Sequence, residues 1–500
     1  MRYLSDDDLT RTRPAETMPL RSPIPTQVVS NGEFTPLPQT PDQCRVERGV
    51  RRLADEFATR HGMTRRQFLA SNAGMAAGFL AMNEVFGPLF AVTRAEAATP
   101  GVADARAGVL AGQFVFDCQT HFVREDYGQK ALLGLAQFAK AHWNPALANE
   151  TDLTRFMFSN YVKEVFVDSD TKVALLSGAP VDDPFNRFLT NDQIISARTA
   201  VNRIAGSHRL LAHSILQPMM PGFLDEVDRA IETLHPDSWK GYTIGDPIFL
   251  TKKGSNWRLD DEKLVYPFYE KAVKSGVRTV CIHKGLLPAD YEQSWPGIWQ
   301  YATVWDLGKA ARDWPQITFV IYHSALRPFI ELPDQSLAQF ESTGRIDWVT
   351  DLAEIPAKFG VKNVYAELGT CFANTAVTHP RLAAAMLGTL IKGVGVDKVL
   401  WGTDSVWYGS PQWQIEALRR LEIPEDMQKK HGFAPLGPAD GAVKNAIFAG
   451  NALRLYALDP GTVQGEIRDD HIAEMRREFL AQGTERSNLR YGYVAQARAR

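Results

Sequence analysis

Histidine, aspartate and glutamine side chains stand at the ends of several short apolar runs in this sequence. The first such run ends with Gln119 and His121, and later runs end with His283, His323 and Asp404. Imidazole nitrogen and carboxylate oxygen are the usual ligands of a catalytic divalent metal ion that keeps an open coordination position. Such an ion lowers the pKa of a bound water or polarises a carbonyl group. The pattern therefore predicts metal-assisted chemistry at the place where these runs end.

This prediction depends on the joint pattern, because a single histidine at the end of a strand is most often an ordinary hydrogen-bonded residue. His142, His213 and His235 show how common histidine is elsewhere in the chain. The cluster, in contrast, draws three histidines and one aspartate from four separate runs. Within it, Asp404 could take a proton from a metal-bound water. His323 could ligate the metal, or hold the water and stabilise developing negative charge.

The elements that must bring these residues together are predicted from the alternation of short apolar runs with helical patterns after residue 110. Eight such units over residues 110–458 match the α/β class and a (β/α)8 TIM barrel with an N-terminal extension. An open, doubly wound sheet is the alternative, but it would place its ligand-binding residues at one switch point rather than at several strand ends. The predicted strands are Phe114–His121, Lys172–Ser177, Leu210–Gln217, Trp239–Ile244, Arg278–Lys284, Ile317–Ser324, Asn363–Leu368 and Lys398–Asp404.

Length, composition and charge fit one large domain with extensions. The chain has 500 residues, 45% of them hydrophobic and 23% charged, and a formal net charge of −3. This charge gives no reason to expect nucleic acid or an anionic membrane as a partner. We divide the chain into an extended or disordered arm (1–60), a signal-like segment (61–98), the barrel (110–458) and a C-terminal tail (459–500). Within the arm, Val50, Leu53 and Phe57 at helical spacing predict an amphipathic helix from Arg45 to Arg60.

The segment after residue 60 resembles a twin-arginine export signal. Arg65-Arg66 is followed by a mainly apolar stretch from Ala76 to Val92, and the small residues Ala95 and Ala97 mark a cleavage point. This pattern predicts export to the periplasm by the twin-arginine machinery. The alternative is a helix of the folded protein that packs on the barrel or on a partner subunit, in which case the protein would be cytoplasmic. The uninterrupted apolar run is too short to span a bilayer.

Taken together, the strand-end residues resemble the amidohydrolase superfamily, and within it the branch that includes aminocarboxymuconate-semialdehyde decarboxylase. Members open with an Asp-x-His-x-His strand, place a histidine after strands five and six, and place an aspartate after strand eight in a Gly-Ser/Thr-Asp turn. The resemblance covers residues 112–458, up to a closing helix at Asn451–Tyr456, and its order and spacing are more specific than any single motif. The matching positions here are Asp117, Gln119, His121, His283, His323 and Asp404.

One departure from the family pattern is Gln119, because the family has His at this position and some decarboxylases have Glu. The resemblance implies that Gln119, His121, His283 and Asp404 surround one divalent metal ion, zinc by default or manganese. Glutamine binds a metal only through its neutral carbonyl oxygen, so we expect this site to hold its metal less tightly than two imidazoles would. Lys240 lies early in strand four and does not match the family's carbamylated lysine, which favours a single metal.

Three functions remain open from the sequence. The first is a hydrolase acting on the ester, lactone or amide carbonyl of a small organic substrate, with Asp404 as general base and His323 steadying the water or the oxyanion. The second is a non-oxidative decarboxylase of the same fold, in which the metal holds a carboxylate or phenolate substrate. The third is a non-catalytic barrel that serves as a binding module. A homodimer is expected from the family alone.

Replacement of both Arg65 and Arg66 by lysine tests the export prediction. We expect the wild type in the periplasm and the double variant in the cytoplasm, because the export machinery reads the arginine pair. Cell fractionation followed by N-terminal sequencing measures both the compartment and the cleavage. A wild-type protein that stays in the cytoplasm and still begins near Met1 would contradict the prediction.

Overall fold

Eight parallel strands lie in sequence order in one sheet, with helices between them, so the predicted TIM barrel is confirmed. The computed structural model describes residues 22–29, 39–127, 154–183, 187–246, 254–287, 291–294, 296–327 and 333–482. The strands are β1 (Phe116–Thr120), β2 (Val173–Leu176), β3 (Leu210–Leu216), β4 (Ser238–Tyr242), β5 (Thr279–His283), β6 (Thr318–Tyr322), β7 (Val364–Glu367) and β8 (Val399–Leu400). Each lies within or overlaps its predicted run.

Helices precede, alternate with and follow the strands. Before the barrel lie α1 (Pro41–Arg60), α2 (Arg65–Leu69), α3 (Asn72–Phe86), α4 (Arg94–Ala98) and α5 (Pro100–Leu110). Those of the barrel are α6 (Phe158–Val162), α7 (Asn191–Ala205), α8 (Phe223–Arg229), α9 (Tyr266–Ser275), α10 (Tyr291–Ser294), α11 (Leu307–Asp313), α12 (Pro333–Thr343), α13 (Val349–Phe359), α14 (Cys371–Ala376), α15 (Pro380–Gly393), α16 (Gln412–Arg420), α17 (Glu425–His431), α18 (Ala442–Asn445) and α19 (Asn451–Leu455). Then follow α20 (Pro460–Ile467) and α21 (His471–Ala481).

The barrel closes between β1 and the chain that follows β8. Strand β8 is only two residues long, much shorter than its predicted run, because the chain beyond Leu400 pairs irregularly with β1. The register of β1 also shifts between Asp117 and Thr120. The bonds that close the barrel join Cys118 N to Trp401 O (2.9 Å), Asp404 N to Gln119 O (2.9 Å) and His121 N to Ser405 O (2.6 Å).

In a regular strand Asp117, Gln119 and His121 would share one face, but the register of β1 shifts between Asp117 and Thr120. Cys118, which lies between them, joins a buried cluster with residues of the neighbouring strands, among them Leu175. Gln119 and His121 nevertheless both reach the end of the barrel where the other predicted site residues lie.

The helix predicted from Arg45 to Arg60 is present as α1 and begins earlier, at Pro41. The Thr40 side chain accepts a hydrogen bond from the main-chain nitrogen of Gln43, whose side chain in turn accepts from the nitrogen of Thr40. This reciprocal capping and Pro41 in the first turn fix where the helix starts. Residues 41–60 are therefore helical rather than an extended arm. Residues 1–21 and 30–38 of the predicted arm lie outside the described residues.

The signal-like segment forms helices that pack against the rest of the protein. The α3 residues Phe79 and Met82 are fully buried, and the ring of Phe79 lies 4.9 Å from that of Phe90. Phe90 makes an antiparallel bridge to Leu421, directly after α16 of the barrel. The side chain of Arg65 forms an ion pair with Asp55 of α1. Export by the twin-arginine machinery and the periplasmic compartment stay predictions, and so does the homodimer.

Buried ion pairs join the N-terminal helices to the barrel. On α16, Arg420 pairs with Glu96 of α4 at 2.6 Å, and Glu416 pairs with Arg106 of α5 at 2.9 Å. Burial alone would raise the pKa of Glu416, but the charges of Arg420, Arg419 and Arg106 hold it at about 2. Because a buried charge without a partner is costly, these pairs make the extension part of the folded unit.

The C-terminal tail is also joined to the barrel as far as the structure describes it. Arg476 of α21 pairs with Asp170 at 2.6 Å. Asp470 pairs at 2.7 Å with Arg209, which directly precedes β3. Ile472 is buried. Residues 459–482 thus cover the outside of the barrel, whereas residues 483–500 lie outside the described part. None of the helices in the described ranges is both long and apolar enough to cross a membrane.

Replacement of Glu96 by glutamine tests whether the N-terminal helices are stabilised through this ion pair. We expect the free energy of unfolding to fall by about 2 kcal/mol, because the buried Arg420 guanidinium loses a charged partner. The matched control is Glu84→Gln, which breaks the exposed pair with Arg52 and should cost less than about 0.5 kcal/mol. Urea denaturation of both variants measures the difference. Equal midpoints for the two would show that the Glu96 pair contributes no more than a surface pair.

Candidate active site

The predicted site residues converge at one end of the barrel. Gln119 lies in β1 and His283 ends β5, whereas His121 and His323 directly follow β1 and β6. Asp404 lies in the segment that closes the barrel after β8. All five side chains are buried, none of them more than 5% exposed. The carboxyl ends of the strands thus place them together, as the barrel architecture requires.

The amide nitrogen of Gln119 lies at the centre of this group. Gln119 Nε2 is 3.0 Å from Asp404 Oδ1, 3.4 Å from His323 Nε2 and 3.5 Å from His121 Nε2. His121 Nε2 is itself 3.0 Å from the same Asp404 oxygen. An amide donor between a carboxylate and two imidazoles occupies the position that a cation bound to these groups would take.

Two histidines form a directed hydrogen-bonded pair beside the amide. His323 Nδ1 lies 2.8 Å from the carbonyl oxygen of Gly369, and His323 Nε2 lies 3.0 Å from His283 Nδ1. Burial lowers the pKa of His323 to about 4 and that of His283 well below its usual value, so both rings are neutral at pH 7. Since a carbonyl only accepts, His323 carries its hydrogen on Nδ1, and its Nε2 accepts the Nδ1–H of His283. The lone pair of His283 is then on Nε2.

The carboxylate of Asp404 is held from both sides. Its Oδ1 faces Gln119 and His121, and its Oδ2 accepts a hydrogen bond from the Thr370 hydroxyl at 2.5 Å. The Tyr408 hydroxyl donates in turn to Thr370 at 3.0 Å. Burial alone would raise the pKa of Asp404, but the hydrogen bond and charge of His121, with His323 and Thr370, hold it below its usual value. Asp404 is therefore an oriented anion at neutral pH.

Asp117 supports the same segment from within β1. Its carboxyl group accepts hydrogen bonds from the main-chain nitrogens of Gln119 (3.1 Å) and Thr403 (3.0 Å) and from the Thr403 hydroxyl. Burial, partly offset by these bonds, raises its pKa to about 7. Asp117 thus ties the turn that carries Asp404 to the strand that carries Gln119.

The sequence prediction missed Glu367, Thr370 and Tyr408. Glu367 ends β7, is fully buried, and has a pKa that burial raises to about 8 despite hydrogen bonds from main-chain nitrogens. The rule that found the other residues, a polar side chain at the end of an apolar run, also applies to Glu367. Thr370 and Tyr408 lie in loops and gave no signal of this kind.

Aromatic side chains form a wall beside the imidazole groups of His121 and His283. The ring of Trp407 lies 6.0 Å from that of His121, and it packs against Phe156 and Phe188 at 5.0 and 5.4 Å. Tyr242 stacks on His283 with a centroid distance of 4.3 Å. Such a wall suits a flat, conjugated ligand better than a flexible or highly polar one.

Lys240 acts on the group through its charge, which contributes to lowering the pKa of His283 and of His323. Its ammonium group lies 3.6 Å from the centre of the Tyr322 ring, within the barrel. Tyr322 in turn bonds the carbonyl oxygen of Cys118 at 2.6 Å. This placement favours at most one metal ion.

The donor atoms fit one divalent ion if the Gln119 amide turns over. No three His, Cys, Asp or Glu side chains in the described ranges are grouped closely enough to hold a metal by themselves. Gln119 Oε1 and His121 Nδ1, however, are buried and have no hydrogen-bond partner among the described residues. Rotation of the amide would bring Oε1 to the place of Nε2. This oxygen would then be the third metal ligand, beside Asp404 and His121.

The comparisons with known proteins agree with the family predicted from the strand ends. The family model described as Amidohydrolase matches residues 216–458, about half of the chain. The match begins at the end of β3 and includes His283, His323 and Asp404. No curated protein matches the chain.

Several solved structures are similar to the barrel. Among them are a 5-carboxyvanillate decarboxylase from Sphingomonas paucimobilis (14% identity, 69% of this chain and 100% of that chain, TM-score 0.41) and one from Novosphingobium aromaticivorans complexed with manganese (14%, 70% and 97%, 0.41). A 2,6-dihydroxybenzoate decarboxylase from Rhizobium is similar too (15%, 69% and 99%, 0.39).

Replacement of Gln119 by histidine tests whether this position faces a metal. We expect the affinity for zinc or manganese to rise by about tenfold to a hundredfold, because an imidazole nitrogen replaces a neutral amide oxygen. Titration of metal-free protein by calorimetry measures the change. Gln464→His, which adds an imidazole at an exposed position, is the control. Unchanged affinity together with a raised KM would instead place Gln119 against the substrate.

Proposed function

We propose that this chain is a metal-dependent enzyme that removes carbon dioxide, without oxidation, from a small planar organic acid. The observation that carries the proposal is the state of Asp404, an anion with one oxygen bonded to Thr370 and the other facing Gln119 and His121. A carboxylate whose pKa is held low is a strong anchor and ligand but a weak general base. This favours decarboxylation over a hydrolysis in which Asp404 must take the proton of a water.

Gln119, His121 and Asp404 would hold the metal, and His283, the fourth predicted ligand, would have to move toward them, because no three His and Asp side chains in the described ranges are grouped closely enough. A divalent ion bound there supplies positive charge that binds a carboxylate or phenolate oxygen of the substrate. The aromatic wall of Trp407 orients a flat substrate beside that charge. Zinc and manganese are the two ions to be tested.

The chain must also manage one proton, because the carbon that loses carbon dioxide takes up a proton in its place. His323 is the side chain suited to this task. Its Nε2 carries no hydrogen at neutral pH and faces the Gln119 amide at the centre of the site. It could accept a proton from a substrate hydroxyl group and return it to carbon. The surrounding buried side chains exclude bulk water from this exchange.

Hydrolysis of an ester, lactone or amide is the second candidate. The observation that favours it is the same unprotonated His323 Nε2, which could hold a water near His283. A binding module without activity remains the third outcome. The three candidates share the barrel and the site residues; the two enzymes differ in the product that the site releases, and the binding module releases none.

Product analysis separates these candidates. Metal-loaded protein is incubated with a panel of hydroxylated aromatic carboxylic acids and, separately, with esters and lactones in H2 18O. We expect release of carbon dioxide from at least one acid and no 18O in any product. Hydrolysis with 18O incorporation would overturn the assignment, and metal binding without any turnover would favour the binding module.

The variant Asp404→Asn tests the residue on which the assignment depends. We expect turnover to fall by about a hundredfold or more with the fold intact, because the volume is nearly unchanged and an anionic ligand is lost. The control is His208→Gln, which changes an exposed histidine that pairs with Glu466. Near-normal turnover in Asp404→Asn would remove Asp404 from the site.

A further inference from the structure

The chain takes an unusual backbone path where it presents His323. His323, Ser324 and Ala325 follow β6 with φ angles of 61°, 50° and 55°. Residues that carry a Cβ atom rarely adopt this left-handed conformation, and three in succession are rarer still. Such a turn persists only where surrounding groups hold it in place.

The groups that hold the turn come from the end of β7. Glu367 Oε2 accepts a hydrogen bond from the main-chain nitrogen of His323 at 3.2 Å, and Oε1 accepts from the nitrogen of Gly369 at 2.6 Å. The main-chain oxygen of Glu367 accepts from the Ser324 hydroxyl at 2.8 Å. Glu367 therefore bonds both the main-chain N–H of His323 and the side chain of Ser324, the first two residues of the turn.

The same residue reaches the imidazole of His323 through Gly369. The carbonyl oxygen of Gly369 accepts the Nδ1–H of His323 at 2.8 Å, and the nitrogen of Gly369 is bound by Glu367. The backbone of His323 and the acceptor that sets its tautomer are thus fixed by one carboxyl group.

The space for the Glu367 carboxyl group is built by glycine. A Cβ atom at Gly402 would overlap Glu367 Oε1, and a Cβ atom at Gly369 would overlap Gln119 Oε1 and press on the same Glu367 oxygen. Glycine is required at positions 402 and 369 because a Cβ atom would not fit there. Its freedom to adopt a left-handed conformation is not the reason, since neither Gly402 nor Gly369 has a positive φ. The carboxyl group therefore has a closed cradle between β7, β8 and β1.

We propose that Glu367 is a positioning residue that holds His323 in the orientation and tautomer in which Nε2 faces the site. It acts through His323 and Gly369. The proposal deepens the proposed function and rests on it, in that His323 handles the proton there. The tautomer of His323, however, can be measured whether or not a substrate is known.

The test is Glu367→Gln in the full-length protein. When ionised, above the pKa of about 8 that burial gives it, Glu367 accepts from main-chain N–H groups with both carboxyl oxygens, whereas glutamine has one acceptor oxygen and would turn its NH2 group toward one of these donors. Either the turn or Gly369 must then shift. Long-range proton–nitrogen NMR spectra of protein labelled with 15N-histidine report which ring nitrogen carries the hydrogen, and the His323 signal is assigned by its loss in His323→Gln.

We expect wild-type His323 to carry its hydrogen on Nδ1 and Glu367→Gln to show the other tautomer or a mixture. Where a substrate is available, kcat should fall by about tenfold to a hundredfold with KM within about twofold, the scale for a misplaced catalytic group. Ser324→Ala is the matched control, because it removes a bond of the same turn but leaves both carboxyl contacts. Its tautomer should match the wild type.

If Glu367→Gln does not fold, Glu367→Asp keeps both acceptor oxygens in a smaller side chain with shorter reach, and it should shift the tautomer partly. A folded Glu367→Gln with the wild-type tautomer would overturn the proposal even if decarboxylation is established. The altered tautomer without any decarboxylase activity would support the positioning role and leave only the proposed function in error.

Discussion

The site depends on how the barrel closes. Regular pairing of β8 ends at Leu400, and the chain then bonds to β1 through the nitrogen of Cys118, the oxygen of Gln119 and the nitrogen of His121. Asp117 adds a buried carboxyl group that accepts from the next turn of the chain at Thr403. This closure brings Asp404 against the two β1 side chains, and without it the charge would not meet the imidazoles. The other histidines then need only the regular parallel order of β5 and β6.

The extensions on either side of the barrel are tied to it by buried charges rather than by apolar packing alone. Glu96 and Arg106 on one side and Arg476 on the other reach the same small region, α16 and the neighbouring Asp170. A charge buried with its partner is acceptable, but the same charge left alone is costly, so each pair links the stability of one segment to the presence of another. Residues 41–110 and 459–482 therefore fold with the barrel.

Much of the fold follows from the sequence because strand alternation and strand-end polarity are local patterns. All eight strands, their parallel order and the convergence of Gln119, His121 and Asp404 could be predicted in this way. Other features depend on contacts between distant residues. The pair of Glu96 with Arg420 joins residues 324 positions apart, and nothing in either neighbourhood indicates the other. Likewise, the sequence shows that Glu367 ends an apolar run, but not that it bonds the left-handed turn at His323.

The proposed function requires the buried group around Gln119 to be a metal centre whose ion takes the place of the amide nitrogen. X-ray diffraction from crystals soaked in manganese, recorded near the metal's absorption edge, tests this most directly. We expect one anomalous peak that contacts His121 and Asp404, with Gln119 Oε1 rather than Nε2 turned toward it. A soaked crystal with no peak at this position, in which Gln119 Nε2 still donates to Asp404, would contradict the metal centre.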